Sequence, residues 1–209
     1  MITQIVKFDI KPEQIETFKA ALVVDKQGAE SEQGCLELRL FQDKNQAGVF
    51  FAYERFQDQA ALDYHAEQSY VKNVLGMLES ASKAAPTVMV LNNTAPTPLH
   101  ESNTKKVHEA DDVFSVFFIF DIKPAYRQQL LTRFESHVEN TRQEQGNLVF
   151  DLYTIDGKDD TLVIYEHWRK ESDLWDIHFN QPYAIETGAL LNEAVVGDLK
   201  QYMSFVEEF

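Results

Sequence analysis

A chain of 209 residues with 34 acidic against 19 basic side chains, and so a formal charge of −15, is a poor match for nucleic acid or an anionic membrane surface. Its hydrophobic fraction of 44%, with 15 Phe and 8 Tyr, is ample for a packed core and argues against disorder. Cys35 is the only cysteine, which excludes an internal disulfide and a cysteine-rich zinc site and points to a reducing, cytoplasmic setting.

Residues 2–10 alternate like a strand, and Lys11-Pro12 ends it, with Pro12 suited to the first turn of a helix. Ile15, Phe18 and Leu22 then recur at three- and four-residue spacing, the pattern of a helix with one buried face, which stops near Gly34. Alternation over Cys35–Gln42, a turn at Asp43-Lys44-Asn45 and a second apolar run over Gly48–Phe56 predict a hairpin. Asp58 is placed to cap a helix, and Val71, Val74, Leu75 and Leu78 mark another after a break near Gln68-Ser69. Val88–Leu91 reads as a closing strand. The order strand, helix, strand, strand, helix, strand is that of a ferredoxin-like α+β unit.

Residues 94–112 contain Pro96, Pro98, Ser102 and several charges without periodicity, so they read as a linker over the surface. Then the order begins again. Phe120-Asp121-Ile122-Lys123-Pro124 repeats Phe8-Asp9-Ile10-Lys11-Pro12, Glu144-Gln145-Gly146 repeats Glu32-Gln33-Gly34, and Tyr165-Glu166 repeats Tyr53-Glu54, each 112 residues on. His178 and Tyr183 answer His65 and Tyr70 at an offset of 113, so one residue has been inserted between these anchors. The expected organisation is a duplication, with repeats at 1–93 and 113–209 joined by the linker and Leu199–Phe205 in the place of the second closing strand. The second half carries most of the acidity, with ten basic and twenty-one acidic residues after position 98 against nine and thirteen before it.

An aromatic-Glu strand end, a short helix, and a His followed by Tyr together resemble the antibiotic biosynthesis monooxygenase domain, a dimeric α+β barrel family. The resemblance implies that the two covalently joined ferredoxin-like repeats (βαββαβ) supply both halves of one intrachain barrel, with further homodimerisation left open. It also implies small-molecule chemistry, since the family includes oxygenases that use no metal, flavin or haem. Relatives of the same fold isomerise a phosphorylated autoinducer breakdown product. Trp168 matches the strand-end Trp common in the family, whereas Phe56 departs from it, which points to unequal repeats.

His65 and His178 are the candidate general bases, because an imidazole titrates near working pH. Each also suits a purely structural hydrogen bond beneath a helix. Glu54 and Glu166, at strand ends, suit either a substrate contact, orientation of the histidine, or a cross-strand salt bridge. Tyr70 and Tyr183 are candidate donors to a substrate oxygen, and Trp168 a candidate wall of an aromatic pocket. His137, His167, His100 and His108 have no counterparts between the repeats and are assigned no role. The sequence has no glycine-rich phosphate loop, zinc motif or nucleophile elbow, so no cofactor or metal is expected. No apolar run approaches the ~20 residues of a membrane helix. The leading expectation is a cofactor-independent monooxygenase of a small quinol or polyphenol-like metabolite. The alternatives are an isomerase or tautomerase of a small hydroxyketone, and a non-enzymatic metabolite-binding protein.

Overall fold

A computed structural model of the protein describes residues 1–100 and 104–209; Ser102 of the expected linker lies outside the described residues. The fold is α+β, two ferredoxin-like repeats of the dimeric α+β barrel class, with eight antiparallel strands among the described residues. The chain divides into unit 1, Met1–Leu91 with Val206–Phe209, and unit 2, Asn92–Phe205.

In unit 1, β1 (Ile2–Asp9) runs into a 3-10 turn, Pro12–Gln14, where proline's fixed φ opens the turn and leads into α1 (Ile15–Ala29). α1 buries Phe18, Ala21, Leu22, Asp25 and Ala29, so one acid shares the apolar stripe. β2 (Cys35–Asp43) and β3 (Val49–Phe56) form the expected hairpin, with β3 central: Ile5 pairs with Tyr53 on one side and Arg39 with Tyr53 on the other. α2 (Gln59–Ala66) is capped by the Asp58 carboxylate, which accepts from the Ala61 N–H at 2.9 Å. α3 (Ser69–Ala81) and β4 (Thr87–Asn93) follow, and β4 pairs with β1. Val6, Phe8, Phe18, Leu22, Leu40 and Phe50 anchor the core.

Unit 2 repeats this plan with β5 (Phe114–Asp121), α4 (Arg127–Thr141), β6 (Asn147–Ile155), β7 (Lys158–Trp168) and α5 (Pro182–Ala194). α4 buries Leu130, Phe134, His137, Val138 and Thr141. Where unit 1 has α2, unit 2 has a π-helical turn, Asp173–Ile177, and a 3-10 turn, His178–Asn180. A π turn holds one more residue per hydrogen-bonded loop than an α turn, and so absorbs the inserted residue without moving His178 off its place.

Two expectations need correction. The closing strand expected at Leu199–Phe205 is a 3-10 turn, Leu199–Tyr202, followed by β8 (Met203–Glu208). The second half of β8 pairs with β2 through Asp43↔Val206, Gln42↔Glu207 and Phe41↔Glu208. The expected surface linker is instead partly buried. Asp151, fully buried on β6, accepts from the N–H groups of Leu99 and His100 at 2.9 and 3.0 Å and from Arg142 at 2.8 Å. A buried carboxylate needs such donors, so it anchors the segment that supplies them.

Candidate functional site

His178 and His65 are fixed by carboxylates other than Glu166 and Glu54. In unit 2, His178 Nδ1 lies 2.8 Å from Glu144 Oε1, and the Tyr183 hydroxyl donates to the same oxygen. In unit 1, His65 Nδ1 lies 2.9 Å from Glu32 Oε1, which the Tyr70 hydroxyl reaches at 2.5 Å. Because a carboxylate only accepts, each imidazole carries a proton on Nδ1, and in neutral His178 the lone pair is left on Nε2. Desolvation and the bond to Glu144 push the Tyr183 phenol above its ordinary pKa, so it stays a donor. Tyr70 is shifted upward for the same reasons, with Glu32 as its partner. Both phenols are thereby turned toward a carboxylate.

Glycine makes these clusters possible. A Cβ on Gly146 would stand 2.4 Å from Asp173 Cγ, and one on Gly34 the same distance from the Ala61 methyl. Only a residue without a side chain lets the helical segment bearing the histidine approach the loop bearing the glutamate. This accounts physically for Glu-Gln-Gly standing in both repeats, a signal the sequence carries without pointing to its role.

Glu54 and Glu166 occupy the central strands, and each is held by a neutral donor rather than by a cross-strand salt bridge, one of the three roles open to it. Gln4, paired with Glu54 across β1 and β3, gives its amide N–H at 2.6 Å. Its counterpart across from Glu166 is Val116, and the Trp168 indole N–H supplies the bond instead, at 2.9 Å. Phe56 and Trp168 therefore differ between repeats as part of a paired exchange of donors. Burial pushes both glutamates up to about 7; Gln4 and His65 offset this at Glu54, and His178 and Trp168 at Glu166.

A cavity of about 170 Å³ lies within unit 2, walled by Phe118, Phe134, Phe150, Ile164 and Leu191, with His137, His178, Glu166 and Thr187 as its polar groups. Trp168 packs at a tilt against His178 with ring centroids 4.8 Å apart, behind the wall. Tyr183 likewise stands behind the histidines, its hydroxyl given to Glu144. His137, assigned no role from sequence, lines the cavity with its ring perpendicular to that of His178 at 5.2 Å. The pattern that could have found it is the apolar stripe Leu130, Phe134, His137, Thr141, in which a polar residue holds a core position. Desolvation, then the charges of His178 and Arg133, lower its pKa to about 3, so it is neutral at working pH.

Unit 1 differs at this point. Asp25 stands where unit 2 has His137, and its Oδ1 lies 3.7 Å from His65 Nε2. Both nitrogens of His65 thus face carboxylates. Desolvation raises Asp25 to about 6, with His65 opposing the rise and Glu32 adding to it.

The sequence model of the antibiotic biosynthesis monooxygenase family matches residues 1–75 and 113–188, well over half of the chain, and the protein belongs to that family. A Bacillus subtilis protein described as “Putative monooxygenase YcnE” is 35% identical over 51 residues, 24% of this chain and 54% of its own length. An uncharacterized Synechocystis protein is 28% identical over 88 residues, 42% of this chain and 57% of its own. The matches thus span little more than half of either relative. The fold is shared with a Fusobacterium nucleatum protein described as a “putative monooxygenase”, at a TM-score of 0.81 and 17% identity, over 99% of this chain and 91% of that one. No helix among the described residues is long and apolar enough to cross a membrane.

Proposed function

We propose that the protein is a monooxygenase that needs no cofactor and oxidises a small quinol in the cavity of unit 2, with His178 as general base. One observation carries this reading: a histidine oriented by a carboxylate, Glu144, lines an apolar cavity of about 170 Å³. An apolar cavity of about 150 Å³ is enough for benzene, so this space suits a single aromatic ring better than a large polyphenol. His178 Nε2 takes the phenolic proton, and Glu144 stabilises the imidazolium through Nδ1–H. The apolar wall keeps the resulting quinolate from water, where it would be reprotonated. Transfer of electrons from the ring to dioxygen and formation of a C–O bond give a ring hydroperoxide. Cleavage of its O–O bond releases water, so that quinol plus dioxygen becomes hydroxyquinone plus water. Glu166, buried and near its midpoint at neutral pH, is placed to return a proton to the departing oxygen.

The same pair of proton carriers on one cavity also favours a second reading, an isomerase that moves a proton next to a carbonyl. Oxygen uptake separates the two. Metal-free protein should consume dioxygen with a single-ring quinol, and His178→Ala should lower the rate ~10²-fold or more while unfolding remains cooperative. His65→Ala should leave the rate nearly unchanged. Proton exchange on a hydroxyketone without oxygen uptake would select the isomerase, and equal losses in the two variants would reject a working site in unit 2 alone.

A further inference from the structure

We propose that His137 is a specificity-determining hydrogen-bond acceptor in the unit 2 cavity, and that the ring this cavity takes bears two hydroxyls, one for His178 and one for His137. The inference rests on the reading of that cavity as the substrate site and goes on to say what its second polar wall selects.

The donors and acceptors around Thr187 set the tautomer of His137. A threonine hydroxyl has one proton to give and two lone pairs. Thr187 gives its proton to the Tyr183 carbonyl at 2.9 Å, and it receives Arg133 Nε–H at 2.9 Å. His137 Nδ1, 3.0 Å away, then meets the remaining lone pair, which only an N–H can satisfy. Arg133 fixes this arrangement from outside, since its other nitrogens reach the Tyr183 carbonyl at 2.6 Å and Glu186 at 2.9 Å. His137 is therefore protonated on Nδ1, which leaves Nε2 as the acceptor of a ring that lines the cavity. His178 is held in the same tautomer by Glu144. Two acceptors thus stand in one small apolar chamber.

Their roles differ because their partners differ. His178 has a carboxylate behind it and can take a full proton. His137 has a neutral hydroxyl and the Tyr183 carbonyl behind it and a guanidinium beyond, and burial keeps it uncharged. It can accept a hydrogen bond from a ligand hydroxyl without removing the proton. A lone pair facing an apolar wall is costly until a donor arrives, which favours a ligand with a second O–H over one without. A quinone carbonyl in the same place would set acceptor against acceptor. The pair therefore prefers the reduced ring and helps to expel the oxidised one. Unit 1 lacks this arrangement, because Asp25 takes the place of His137 and faces His65.

The test is binding under anaerobic conditions, so that it reads His137 whether or not the protein turns over. Phenol and the three dihydroxybenzenes are titrated into the full chain, followed by tryptophan fluorescence or calorimetry. At least one dihydroxybenzene should bind about tenfold more tightly than phenol, the range expected for one added hydrogen bond in an apolar site. In His137→Phe the ratio of diol to phenol affinity should fall from about tenfold to about one. Should that variant fail to fold, long-range proton–nitrogen NMR of the wild-type imidazoles decides. Nδ1–H with a bare Nε2 on His137, whose nitrogen shift moves when the diol is added, supports the proposal. Protonation of His137 on Nε2, a diol preference that survives in His137→Phe, or no preference in the wild type would overturn it. A diol preference in a protein that consumes no oxygen would support the His137 assignment and reject only the oxygenase reading.

Discussion

Single residues in this protein act through what they are denied as much as through what they touch. Glu166 is denied water and accepts from the Trp168 indole N–H, so its proton is retained up to about pH 7 rather than the ordinary 4.5. The unfolded chain releases that proton near 4.5, so between 4.5 and 7 the unfolded state binds fewer protons and stability falls as pH rises. Glu166→Gln keeps an acceptor for Trp168 and removes the titration. The variant should gain up to about 3 kcal/mol on the wild type on going from below pH 4.5 to above pH 7, measured by urea unfolding at each pH. Glu54 and Asp25 tilt the wild-type curve the same way, and His137 tilts it oppositely between 3 and 6.5, so the difference between the two proteins is the quantity to read. A flat difference would place the carboxylate in a wetter setting than its burial implies. At this scale the sequence was half legible. His65 and His178 stand out because they recur, but their carboxylates lie 33 and 34 residues away in chain position, and no local spacing joins them. His137 was hidden because it lacks a counterpart, and only its place in an apolar stripe marks it.

Among the elements, the hairpins and the amphipathic helices were plain from periodicity, because each has one face against a sheet and one outside. The segment before His178 was not. An offset of 113 in place of 112 announces an extra residue without saying where the chain stores it. The store is the π turn Asp173–Ile177. Deleting the exposed Asp176 should therefore convert this turn to the α form seen in α2 and leave His178 on Glu144. The melting temperature should stay within about 4 °C of wild type, roughly 1 kcal/mol for a chain of this size. Deleting Ser136 from α4 should instead rotate the rest of that helix by about 100° and unfold unit 2. If removing Asp176 is as damaging as removing Ser136, the π turn is not where the insertion resides.

At the scale of the whole molecule, the duplication was readable from four anchors, but the ownership of the last strand was not, since nothing in Val206–Phe209 says which sheet it will join. Val206–Glu208 pair with β2, Arg39 grips Glu208 with Nε at 3.0 Å from Oε1, and Phe209 sets its ring on Phe50 at 5.9 Å with Lys19 Nζ 4.3 Å above it. Removing Val206–Phe209 should cost unit 1 about 2–3 kcal/mol, mostly through the lost aromatic burial. Hydrogen exchange should report this as faster exchange of the β2 amides, with β6 and β7 unaffected. Undiminished protection in β2 would show that the segment adds nothing to unit 1. The pairing also has a consequence for synthesis. Arg39 leaves the ribosome 169 residues before Glu208, so at ordinary elongation speeds β2 waits roughly 10–30 s for its partner. Through that interval its edge is open to any nascent strand nearby, including β2 of the next chain on the same messenger.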